Sequence, residues 1–66
     1  MKQSAINALV QALYRLQQIG SDLYDASDAA SEQGDLSEAA LLQSVADKLY
    51  EDAENLDILI SEMEEQ

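Results

Sequence analysis

Two long stretches of helical apolar periodicity, separated by one glycine-centred break, constrain this chain more than any other feature. In the first stretch Ile6, Leu9, Leu13, Leu16, Gly20, Leu23, Ser27 and Ala30 follow alternating steps of three and four. That is a heptad seam, which an α-helix presents along one side. Ala5, Ala12, Ile19 and Ala26 fall on the flank beside it, while Ser4, Gln11, Gln18, Asp25 and Glu32 on the far side are all polar. In the second stretch Leu42, Leu49, Leu56 and Met63 are seven apart, with Ala39, Ala46, Ala53 and Ile60 beside them and Val45 and Leu59 on the other flank. There is no proline, and Ala, Leu, Glu and Gln dominate, all good helix formers.

The break is the segment Glu32-Gln33-Gly34-Asp35-Leu36-Ser37-Glu38. Glycine just past a helix adopts the left-handed conformation that closes the C-terminus. Asp35 can accept from the first free N–H groups of a following helix, Glu38 fits a capping box with it, and Leu36 is placed to pack back on the first helix. The expected fold is therefore all-α: a two-helix antiparallel hairpin forming one domain over residues 1–66, with helices at about 4–32 and 36–64 and a turn at 33–35. Each apolar stripe is wider than one partner helix can cover, and a 66-residue chain has a marginal core of its own. Pairing two hairpins into a homodimeric four-helix bundle, a coiled-coil-like assembly, meets both needs. Folding about the turn is expected to bring Arg15 near Glu51 and Glu54, and Lys48 near Asp22 and Asp25. Two positions stand out. Gly20 lies inside a helix and points to close helix approach or to a hinge. Asp52 interrupts an apolar line between Val45 and Leu59, so a slight rotation that buries Ala53 and keeps Asp52 wet is expected.

Fourteen acidic residues against three basic ones give a net charge of −11, with +2 over residues 1–21 and −13 over residues 22–66. Such a chain repels nucleic-acid backbones and anionic membranes and is attracted to basic proteins. It holds no Cys and no His, so thiol chemistry and the common metal ligands are missing. No calcium-loop spacing, phosphate-cradling glycine loop or Ser/His/Asp set occurs. The reading is of a protein that is not an enzyme and carries no cofactor or metal. No apolar run approaches the ~20 residues of a membrane span, and no signal peptide is evident, so a soluble, cytoplasmic protein is expected.

Asp25, Asp28 and Glu32 share a helical spacing on the first helix, and Asp47, Glu51 and Glu54 do so on the second. They are candidates for a surface that meets a basic partner; the bland alternative is a solvated face that keeps the chain in solution. Val10, Tyr14, Tyr24, Leu41, Tyr50 and Ile58 lie at or outside the edge of the seam. Tyr50 and Ile58 are the candidates for an apolar docking patch, since tyrosine is common at interface hot spots.

Ala8, Leu9, Ala12, Tyr14 and Gln18, with the stretches Glu32-Gln33-Gly34-Asp35 and Ala46-Asp47-Lys48-Leu49-Tyr50, resemble the Rop family of plasmid copy-number regulators, the last stretch after a two-residue shift. The resemblance implies a hairpin that dimerises into a four-helix bundle. It also implies an RNA-binding face built from an aromatic residue flanked by Lys, Asn and Gln, which Tyr14, Gln18 and Lys2 could fill in part. Arg15 and Asp22 depart from that family's core register. The expected function is a small acidic protein-binding module: an adaptor, regulator or inhibitor of a basic partner protein, of the kind borne by phages and plasmids. The alternatives are a Rop-like RNA-binding regulator and an inhibitor that mimics nucleic acid.

Overall fold

A computed structural model describes residues 2–65. Helix α1 spans Gln3–Glu32 and helix α2 spans Leu36–Glu64, within a residue of the bounds expected from the periodicity. They run antiparallel as a rod with Cα extents of 49 × 15 × 10 Å. The radius of gyration is 15.1 Å, against about 11 Å for a globular chain of this length. Among the described residues no helix is long and apolar enough to cross a membrane.

The turn forms because three backbone donors find the carbonyls that α1 leaves open. Gly34 takes φ +82°, its N–H donates to the Ser31 carbonyl at 3.0 Å, and the Asp35 N–H donates to the Ala30 carbonyl at 2.9 Å. This pair of bonds is a Schellman closure. Asp35 then caps α2: its Oδ1 accepts from the Glu38 N–H at 3.2 Å. The expected reciprocal box is only half made, because the Asp35 N–H already serves Ala30. Leu36 does not fold back onto α1; it stays 68% exposed. At the first position of α2 it stands level with the end of α1, where Ala29, Ala30, Ser31 and Glu32 include no large apolar side chain to cover it.

The inner seam is built from one residue per heptad on each helix. Ile6, Leu13, Gly20 and Ser27 are buried on α1, together with Ala30; Ala39, Ala46, Ala53 and Ile60 are buried on α2. Toward the open end Ile6, Leu13, Ala53 and Ile60 form one apolar cluster. Toward the turn the seam narrows to Gly, Ser and Ala, and there Ser27 Oγ donates to the Ala39 carbonyl at 2.7 Å. On α2 the alanine line, rather than the leucine line, faces α1. Leu42, Leu49, Leu56 and Met63 are consequently half-buried, as are Leu9, Leu16 and Leu23. Ala53 is 1% exposed and takes the core place beside Asp52, as the sequence led us to expect.

α1 runs unbroken through Gly20, whose missing side chain makes room for a ring. A Cβ there would stand 2.8 Å from Tyr50 Cε2 and 2.9 Å from Cδ2. Tyr50 in turn stacks on Tyr24, with centroids 5.5 Å apart and planes at 23°, and the Tyr24 hydroxyl donates to Asp47 Oδ1. Close approach at Gly20 is thus between helix backbone and tyrosine, not between two backbones.

Candidate partner-binding surface

The tyrosine stack fixes which side of the hairpin is which. Tyr24 and Tyr50 each lie four residues after a buried position, Gly20 and Ala46, so they mark one face; we call it the back. The leucines each lie three residues after a buried position and mark the opposite, front face. Side chains at these two offsets diverge to either side of the inner line, and the antiparallel pairing places equivalent offsets of the two helices on the same face.

All eight candidate binding residues fall on the back face or on the outer edges that lean toward it. Asp28, Asp47 and Glu54 lie beside the tyrosine line, and Asp25, Glu32, Glu51 and Ile58 follow on the outer edges. The six acids are exposed and Ile58 is 53% exposed. Two of the eight also serve the fold. Asp47 holds the Tyr24 hydroxyl, and Tyr50, half-buried, fills the space over Gly20. The Tyr24 phenol is pushed above its ordinary value, first by its hydrogen bond to Asp47, then by burial and by the Asp47 charge. At the turn Asp35 is lowered and Glu38 is raised, because the two carboxyl groups share a hydrogen bond that favours the charged form of Asp35 and the neutral form of Glu38.

Charge divides sharply between the faces. The front face and its adjoining edges carry Lys2, Arg15 and Lys48 with Asp22, Glu38, Asp52 and Glu62, a net −1. The turn, the back face and the remaining edges carry the other ten acids and no base, a net −10. Lengthwise the division vanishes. Residues 19–48 at the turn end and the remaining residues at the open end hold seven acids each, because α2 folds its acids back along α1. The contrast between residues 1–21 and 22–66 therefore becomes a contrast between faces, not between ends. The expected ion pairs between helices do not form. Among the described residues the ion pair is Lys48 Nζ to Asp52 Oδ1 at 3.7 Å, one turn apart on α2. Arg15 and Glu51 fail to meet because their helical phases turn them toward opposite faces.

The three residues that would contribute to an RNA-binding face are not gathered. Tyr14 is 66% exposed toward the back, the Gln18 amide donates to Asp22 Oδ1 at 3.0 Å, and Lys2 stands about 18 Å along α1 from Tyr14. No family model matches the chain, and neither curated proteins nor solved structures provide a match. The all-α hairpin agrees with the architecture that the Rop resemblance implies at the level of two antiparallel helices.

Proposed function

We propose that this chain is a small acidic helical module that pairs with a second copy into a four-helix bundle and binds a basic protein through its back face. The observation that carries the reading is the face-selective charge: ten acids without one base around a side that also displays Tyr14 and Ile58. A requirement for solubility alone does not need every base to be kept off one side. A basic protein would be steered onto this surface at a rate that falls as salt is added, and the exposed apolar side chains would hold it once docked. Nothing in the arrangement needs a reacting group, so the module acts by occupancy, as an adaptor, regulator or inhibitor does.

The test begins with affinity capture and elution by rising salt, followed by purification of the captured protein and measurement of its association rate. Asp25→Asn with Asp28→Asn and Glu32→Gln should lower that rate at least tenfold at low salt with helicity unchanged. Asp47 is left intact because it holds Tyr24. Ile58→Ala, rather than a change at Tyr50, tests the apolar contribution without opening the hairpin. If the neutralised chain associates as fast as the parent, the acidic face only solvates the module. A mobility shift with RNA at low salt would instead favour the RNA-binding alternative.

A further inference from the structure

We infer that the front face is the self-docking surface of this module and that its occupant is a second copy of the same chain. The inference rests on the paired-hairpin reading above and names the face that pairs. On that face Ile19, Val45 and Leu59 are 49%, 44% and 44% exposed, and they border leucines that the hairpin covers only in part. The chain exposes 4768 Å² in all, whereas about 4100 Å² is usual for a compact monomer of its 7.2 kDa. The face measures 49 × 15 Å, a footprint of about 700 Å², close to the ~800 Å² per partner that stable complexes bury.

Charge selects the occupant. The chain as a whole carries −11, so two copies repel unless they meet where the acids are few. The front is that place, at −1, and both of its outer edges mix signs: Arg15 with Asp22 along α1, Lys48 with Glu62 along α2. A basic partner finds its weakest attraction here and its strongest on the back, so the two surfaces do not compete. Asp52, inside the face, is already paired with Lys48 at 3.7 Å, so docking does not strand its charge. Pairing through the front leaves every back-face acid in solvent and presents one acidic back face on each side of the pair.

Two variants of equal charge decide the matter. Ile19→Glu with Leu59→Glu places two acids on the front; Tyr14→Glu with Ile58→Glu places two on the back. All four positions are exposed in the hairpin. Light scattering at tens of micromolar should give twice 7.2 kDa for the parent and the back variant, with the front variant at least a hundredfold weaker in self-association. Because a separated hairpin can lose helicity, a second measurement uses the parent fold. The chain has no Cys, so a nitroxide on Ile19→Cys or Ile58→Cys reports a single site. The front label should show intermolecular dipolar broadening and slowed motion that unlabelled chain removes or restores on exchange; the back label should not. Dimers that survive the front variant, or a back label that broadens while the front one does not, overturn the choice of face and leave pairing itself standing. A parent chain that stays at 7.2 kDa overturns the pairing reading as well.

Discussion

Replacing Gly20 by Ala sets two effects of opposite sign against each other, and the structure says which wins. In an open helix the exchange stabilises by about 1 kcal/mol, because glycine loses more backbone freedom on folding. Here the added Cβ would stand 2.8 and 2.9 Å from two ring carbons of Tyr50, inside van der Waals contact. The ring cannot simply slide away, since it is stacked on Tyr24 at 5.5 Å and Tyr24 is tied to Asp47. Overpacking of this kind costs about 1–3 kcal/mol. The expected net effect is a loss of about 1 kcal/mol, or a fall in Tm of roughly 7 °C for a chain of this size. In a Tyr50→Ala background the obstacle is gone, and the same Gly20→Ala change should stabilise by about 1 kcal/mol. The assay is a double-mutant cycle from urea melts followed by circular dichroism, with all four chains at one concentration because the proposed pairing would make stability concentration-dependent. The expected coupling is about 2 kcal/mol. If Gly20→Ala stabilises equally in both backgrounds, Tyr50 does not sit on Gly20 and the account of the seam is wrong.

Gly34→Ala should destabilise by about 1–2 kcal/mol through backbone strain alone, since φ is +82° and nothing lies within 4 Å of an added Cβ; Gly34→Asn should cost less in the same melts. Ser27→Ala removes a buried hydrogen bond of 2.7 Å to the Ala39 carbonyl and should cost about 0.5–1.5 kcal/mol, with faster amide exchange in the first turns of α2 as an independent readout. Tyr24 is raised by Asp47, so its contribution is fully present below the unfolded tyrosine value of about 10 and is lost as pH rises through the higher folded value. Thermal melts from neutral to strongly alkaline pH should therefore show a loss that Tyr24→Phe reduces. In ultraviolet titration Asp47→Asn should move the tyrosinate transition of Tyr24 downward, and an unmoved transition would refute the contact.

The helices and the turn were legible in the sequence because their causes are local. Periodic apolar residues, the absence of proline, Gly34 at a left-handed position and Asp35 ahead of α2 act over a few residues each, and they place both helices to within a residue. Asp52 was legible for the same reason, as an interruption that a small rotation toward Ala53 removes. Leu36, the reciprocal half of the capping box and the ion pairs of Arg15 and Lys48 were not, because each depends on what the other helix offers at that height and phase.

The candidate surface divides in the same way. The sequence picked out the acids by spacing, but spacing on one helix does not say which side the second helix will cover. A stripe several residues wide has more than one line that could face inward. The choice fell on the small residues of α2, since Ala39, Ala46 and Ala53 let the helices close on Gly20 and Ser27 and leave room for Tyr50. That choice alone turns the leucines to the front and gathers ten acids around the back. Net charge is a property of the chain, whereas the front at −1 and the rest at −10 are set by the rotation of each helix about its axis, which only packing against the other helix determines.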